Sequence, residues 1–176
     1  EFKIGDRVVS NGPHAEIVSV SKNLCAKIPN NVSYEKASFS VVASIGLQGI
    51  RLASPTFGET FLVSGLGLIG LMTAQLLKAN GCNVIGLDPD KEKCKLAKSF
   101  GIDTIDSDSD SSLNYIFNKT NGIGVDGVIV AASTSSNEPI KFAANACRKR
   151  GRIILVGVVG LNFERNLFYK KEINFQ

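Results

Sequence analysis

At 176 residues the chain is long enough to bury one substantial core with at most a small appendage, and 44% hydrophobic with 20% charged residues is ordinary for a globular domain. A net charge of +4 is too small to argue for nucleic acid, no apolar run approaches a membrane span and no basic-then-apolar leader opens the chain, so a cytoplasmic protein with neither nucleic-acid nor membrane partner is expected. The four cysteines, Cys25, Cys82, Cys94 and Cys147, include no Cys-x-x-Cys pair; this disfavours a zinc ribbon or redox dithiol, favours buried free thiols and leaves no metal site to expect.

In chain order, strand-like pieces occur at Phe2 to Val9, Glu16 to Val20 and Leu24 to Ile28, the first two separated by the turn Asn11-Gly12-Pro13. His14 is the one histidine and a tempting catalytic candidate, but it sits beside a Gly-Pro turn with no carboxylate at evident spacing, so it is read as an exposed or packing residue rather than a general base. A helix from about Ser33 to Ala53 then leads into a different rhythm.

Residues 60 to 88 form one unit: an apolar strand (Thr60 to Ser64), the spacing Gly65-Leu66-Gly67-Leu68-Ile69-Gly70, a helix, a second strand (Asn83 to Leu87) and Asp88. Each glycine falls where a dinucleotide-binding turn needs a missing side chain. Gly65 allows a sharp turn off the strand, Gly67 admits a pyrophosphate to the backbone, and Gly70 lets the helix pack close to the strand. The helix-opening amides near Leu68 and Ile69 lack intrahelical acceptors and suit an anion. Asp88, eighteen residues after Gly70, is placed to accept the hydroxyl protons of an adenosine ribose, and a 2′-phosphate there would meet like charge; NAD is therefore favoured over NADP. The competing reading is that Asp88 only opens a turn with Pro89.

Helical and strand periods alternate from there on. The first helix is expected to carry Leu68, Met72, Leu76 and Ala79 on one stripe and to end at Gly81; the next, capped by Asp90, to set Cys94, Ala97 and Phe100 inward. After a short strand near Ile102 to Ile105 comes the run Asp106 to Ser112. Its Asp106, Asp108 and Asp110 spacing faintly resembles a calcium loop, but Ser111 and Phe117 stand where Gly and Glu are needed, so the run is read as a solvated loop that caps the helix carrying Leu113, Ile116 and Phe117. Val125 to Ala131 is a nearly continuous apolar strand, Ser133 to Ser136 precede a helix starting near Pro139, and Arg152 to Gly157 and Ile173 to Gln176 are further strands. The basic cluster Arg148-Lys149-Arg150 is expected to close the helix that buries Ile140, Ala143, Ala144 and Cys147, where cations suit the dipole, rather than to bind phosphate. Repeated strand-helix-strand units predict an α/β fold: a doubly wound parallel Rossmann sheet with helices on both faces, its ligand over the carboxyl ends of the strands.

These stretches together resemble the medium-chain dehydrogenase/reductase superfamily, which includes zinc-type alcohol dehydrogenases. The resemblance is carried by Gly5-Asp6-Arg7-Val8-Val9, His14-Ala15-Glu16, Ile28-Pro29, Val32 to Ala37, Gly65 to Gly70, Asp88-Pro89-Asp90 with Lys93, and Lys171-Glu172. More narrowly, the chain is similar to the branch found in bi-domain oxidoreductases. The resemblance implies that residues 1–36 are a remnant of a GroES-like catalytic domain, that 37–176 are the NAD(P)-binding Rossmann domain, and that the chain is a fragment of a longer protein. It also implies that Leu68 and Ile69 offer amides to the pyrophosphate, that Asp88, Asp90 and Lys93 border the adenosine half, that Ala131 to Thr134 flank the adenine, and that Val156 to Val158 approach the nicotinamide ribose. Ser44 stands where zinc-dependent relatives often place a Cys or Asp, which implies a zinc-independent parent.

The reading that follows is the NAD-binding half of a hydride-transfer oxidoreductase acting on a small-molecule substrate held mainly by a missing lobe, inactive in isolation, with its catalytic residues unassigned and its parent a homo-oligomer paired through the last strand. Two alternatives remain at this level: a non-catalytic NAD(H) sensor, and an S-adenosylmethionine methyltransferase, which needs no glycine at position 70.

Overall fold

Residues 1–106 and 109–176 are described by the computed structural model, and they divide into two units, Glu1–Ser44 and Ile45–Gln176. In the first, β1 (Val8–Ser10) and β2 (Cys25–Lys27) pair antiparallel, with Val9 opposite Ala26. Arg7 donates to the Val32 carbonyl at 2.6 Å and lies 4.5 Å from the centre of the Tyr34 ring, while Lys27 pairs with Asp6 at 2.7 Å. The strand expected from Phe2 is shorter than its pattern, because Lys3 to Asp6 close a turn in which the Asp6 carboxylate accepts the Lys3 amide. Residues 16–20 form no strand, only a bend at 16–17 followed by irregular chain: an alternating pattern becomes a strand only against a partner, and none pairs with them among the described residues. The helix expected over Ser33 to Ala53 comes in two pieces, α1 (Tyr34–Ala37), whose N-cap Ser33 accepts the Lys36 amide, and α2 (Ser40–Ala53).

The second unit begins within α2 and continues as β3 (Thr60–Ser64), α3 (Leu68–Ala79), β4 (Asn83–Leu87), α4 (Lys91–Ser99), β5 (Asp103–Ile105), α5 (Asp110–Lys119), β6 (Val125–Val130), α6 (Glu138–Ala146), β7 (Cys147–Leu155), α7 (Arg165–Lys171) and β8 (Asn174–Phe175). The six strands lie in the order β5-β4-β3-β6-β7-β8 and every neighbouring pair is parallel. The chain therefore winds outward from β3 to one edge and returns beside β3 to wind to the other, which opens a crevice at the carboxyl ends of β3 and β6. Side chains alternate between two apolar layers: Phe61 and Val63 of β3 pack with Ile50, Ala74, Leu77 and Ala97, whereas Leu62 packs with Ile116, Ile140 and Ala143 on the opposite face. This double covering is why the central strands read as unbroken apolar runs. Among the described residues no helix is long and apolar enough to cross a membrane.

Three further expectations are corrected. The buried residues of α3 are Gly70, Thr73, Ala74 and Leu77; of the expected stripe Leu76 packs partly buried against the core and Met72 is half-buried, whereas Leu68 and Ala79 are exposed. Phe100 is 44% exposed, since α4 has reached its C-cap there and only Cys94 and Ala97 remain inward. Arg148 to Arg150 belong to β7 and not to a helix end: Cys147, the C-cap of α6, is already extended, and the register with β6 shifts between Val125–Cys147 and Gly127–Arg152, with Arg150 at φ +56°. Helix α7 was not anticipated at all. Of the Asp106 to Ser112 run, Asp108 lies outside the described residues, and α5 starts after Ser109 with Asp110 in its first turn.

The cluster of cations is matched by acids from distant parts of the chain: Asp126 in β6, Glu59 just before β3 and Glu172 at the end of α7. Arg148 donates to Asp126 at 2.6 Å, Arg150 donates to Glu172 at 2.6 Å, and Arg152 donates to Glu59 while its guanidinium lies 5.0 Å from the centre of the Phe61 ring. Burial pushes the Glu59 carboxyl up, but hydrogen bonds from Arg152 and the Thr56 amide outweigh it and hold Glu59 below its ordinary value.

Candidate functional site

β3 ends at a buried serine, and the next residue must turn at once. Gly65 does so at φ +93°, where a Cβ would lie 2.6 Å from the Ala132 nitrogen, so both conformation and space demand glycine. Gly70, in the first turn of α3, sits directly on that turn: a Cβ there would lie 1.8 Å from the Gly65 carbonyl oxygen. Gly67 is different in kind. It is the N-cap of α3, at φ −65°, and a Cβ would meet nothing within 4 Å, so its missing side chain leaves open space rather than relieving a contact.

That space is faced by the start of α3. The first intrahelical bond of this turn runs from the Leu71 amide to the Gly67 carbonyl at 2.8 Å, so the amides of Leu68, Ile69 and Gly70 have no acceptor within the helix, and Gly67 provides no capping side chain. Unpaired donors at the positive end of a helix dipole form an anion cradle.

A second stretch of wall is Asp88, 5% exposed, just after β4 and beside the turn. Its Oδ2 accepts the Leu66 amide at 2.8 Å, its Oδ1 accepts the Asp90 amide at 2.9 Å, and the Lys93 ammonium lies 3.6 Å from Oδ1. The third stretch of wall is the segment after β6, Ala131 to Thr134, braced by the residues that follow β7. Gly157 passes so close to Ala132 that a Cβ would lie 2.1 Å from the Ala132 oxygen, and the Val158 amide donates to that oxygen at 3.0 Å. Ala132 is thus held between Gly65 and Gly157, and the Thr134 amide, donating to the Val158 carbonyl at 2.9 Å, fixes the loop that follows. The walls enclose a cavity of about 480 Å³ over the crevice between β3 and β6.

Gly65, Gly67, Asp88, Lys93 and Ala131 all line this cavity. Leu68, 54% exposed, and Ile69 adjoin it at the mouth of α3, and Gly70 lies beneath the turn rather than in the wall. The Asp90 carboxylate caps α4, accepting the Glu92 and Lys93 amides at 2.9 and 3.4 Å. Val156 is outside the lining, packed where α2 passes at Gly49; a Cβ on Gly49 would lie 2.6 Å from the Val156 side chain. Sequence reasoning missed Ser136, Glu138 and Pro139, which complete the wall from the loop into α6. Their signal was position alone: they follow the strand that borders the crevice. His14 is exposed in the first unit. Among the described residues no three His, Cys, Asp or Glu side chains gather as a metal ion would require.

Residues 69–176 match the family model described as zinc-binding dehydrogenase. The chain is 32% identical to L-idonate 5-dehydrogenase of Vitis vinifera over 90% of its own length and 44% of that protein, and 30% identical to sorbitol dehydrogenase of Homo sapiens over 76% of its length and 38% of that protein. It therefore spans less than half of the curated relatives it matches. Among solved structures, 2R,3R-butanediol dehydrogenase from Bacillus subtilis superposes with a TM-score of 0.86 at 23% identity, covering 99% of this chain and 58% of that one.

Proposed function

The chain belongs to the zinc-binding dehydrogenase family, and on that premise we propose that it is the dinucleotide-binding part of an NAD-dependent oxidoreductase that exchanges a hydride with an alcohol or polyol. The observation that carries the reading is Gly67, whose absent side chain leaves open space at the entrance of α3, where the first amides have no intrahelical acceptor, in the wall of a cavity that Asp88 also lines. A nicotinamide dinucleotide fits this arrangement, because a Cβ at Gly67 would occupy the room that a diphosphate needs. Residues 1–36 are assigned to the closing strands of a GroES-like catalytic domain and 37–176 to the Rossmann domain. A cytoplasmic setting and a homo-oligomer joined along β8, which forms one edge of the sheet among the described residues, belong to the same proposal.

The helix amides hold the diphosphate, Asp88 and Lys93 border the adenosine ribose, and Ala131 to Thr134 flank the base. The bound cofactor supplies the hydride carrier; the chain orients it and excludes water behind it, while a small-molecule substrate is held mainly by further parts of the catalytic lobe. No step is assigned to zinc, since the described residues gather no ligand set for it. NAD is preferred because a 2′-phosphate would approach the Asp88 carboxylate and meet like charge, whereas ribose hydroxyls could donate to its remaining lone pairs. A structural neighbour, a mycobacterial protein at 25% identity with a TM-score of 0.83 over 99% of this chain and 56% of that one, is an NADPH complex, so the preference is the point to test. Calorimetric titration of the chain with NADH, NADPH and S-adenosylmethionine is the experiment. NADH is expected to bind most tightly; binding of S-adenosylmethionine alone would overturn the assignment.

A further inference from the structure

Asp88 holds more than a place beside the ribose. The turn that carries the cradle is tied to β4 at two successive amides: Gly65 donates to the Leu87 carbonyl at 2.7 Å, and Leu66 donates to Asp88 Oδ2 at 2.8 Å. The second tie is buried, and it is made to a side chain and not to the backbone. Asp88 itself is locked from every direction, its amide donating to the Ile105 carbonyl, its carbonyl accepting from the Cys94 thiol, and its Oδ1 accepting the Asp90 amide. The Leu66 side chain is fixed as well, lying over Gly86 so closely that a Cβ there would stand 2.9 Å from it. A rigid acceptor therefore sets the direction in which the peptide between Gly65 and Leu66 faces, and with it the path of the chain into Gly67 and the first amides of α3.

We propose that Asp88 is a positioning residue for the anion cradle as well as the wall of the ribose pocket: through Oδ2 and the Leu66 amide it holds the glycine turn open for a diphosphate before any ligand arrives. This rests on the dinucleotide reading above. Without that carboxylate the buried Leu66 amide loses its acceptor, and the amide regains a partner only by rotating its peptide toward the cavity, which reshapes the cradle. Loss of Asp88 consequently weakens ligands that never touch it.

The test compares two probes on the same chain: NADH, and 2′,3′-dideoxyadenosine diphosphate, which keeps the diphosphate and base but has no ribose hydroxyl for Asp88 to accept. Binding is measured by calorimetry for the wild type, Asp88→Ala and Asp88→Asn, with amide exchange at Leu66 followed by NMR. Asp88→Ala is expected to weaken the dideoxy probe about tenfold or more, and to make the Leu66 amide exchange quickly. Asp88→Asn, which keeps one acceptor oxygen for that amide, is expected to recover much of the diphosphate binding and the protection while leaving NADH impaired. If Asp88→Ala weakens NADH alone, or if Asp88→Asn binds the dideoxy probe as poorly as Asp88→Ala, the positioning role is overturned although the cofactor reading stands. If the wild type binds neither probe, the cofactor reading fails and takes the positioning role with it.

Discussion

The carbonyl oxygen of Gly65 lies 1.8 Å from where a Cβ on Gly70 would have to be, so the first turn of α3 rests on the backbone of the residue that leaves β3. Gly67, between them in sequence, meets nothing. Stability and binding separate on these two positions. Gly70→Ala is expected to cost about 3 kcal/mol, a fall in Tm on the order of 8 °C, because backbone must move. Gly67→Ala is expected to stay within about 0.5 kcal/mol of the wild type, its backbone angles being open to any residue, while NADH affinity drops by about tenfold or more. Thermal melts paired with calorimetry check both; a destabilised Gly67→Ala would refute the separation.

Lys93 bears on cofactor choice. Its ammonium lies 3.6 Å from Asp88 Oδ1 and 3.9 Å from the Asp90 carboxylate, half-exposed, so it offsets part of the negative charge that a 2′-phosphate would meet. Lys93→Met is expected to weaken NADPH a few-fold more than NADH, on the order of the 0.5–1 kcal/mol typical of a partly exposed pair. The ratio of the two dissociation constants reads this directly, and a ratio that falls would contradict it.

At the opposite end of the sheet, Glu59 joins the start of β3 to Arg152 of β7 and to the Thr56 amide. Its folded pKa lies below the unfolded value near 4.5, so its contribution is fully present above that pH and is lost as the pH falls through the lower, folded value. Denaturant midpoints should therefore decline on acidification below about pH 4.5. Glu59→Gln should lower stability by about 2 kcal/mol near neutrality, since Arg152 keeps its burial without its partner, and should flatten the acid limb. An unchanged acid limb would locate the pH sensitivity elsewhere.

The four thiols should react in two classes. Cys25 is half-exposed, whereas Cys82, Cys94 and Cys147 are buried and burial pushes each thiol up, Cys147 to about 11. Dithiobisnitrobenzoate at pH 8 is expected to titrate Cys25 first in the folded protein and the other three only after denaturation. Two or more rapid equivalents would show that a buried site opens.

Much of the site could be read from residues alone, because its determinants are close together in the chain. Strand, turn, helix, strand and Asp88 occupy residues 60 to 88, and the need for glycine at 65 and 70 and for a carboxylate after β4 follows from local geometry and short spacing. The doubly wound sheet was legible for the same reason: short apolar runs alternating with helical periods of 3.6 are properties of single segments. Tertiary structure decided whatever depends on a partner far along the chain. Only the folded sheet brings Glu59, Asp126 and Glu172 to the arginines of β7, turns α3 onto Gly70 and Leu77 instead of Leu68 and Met72, sets Gly157 against Ala132, and gives the Leu66 amide to Asp88. Those contacts join surfaces that strand order places side by side, and no local propensity encodes which surfaces will meet.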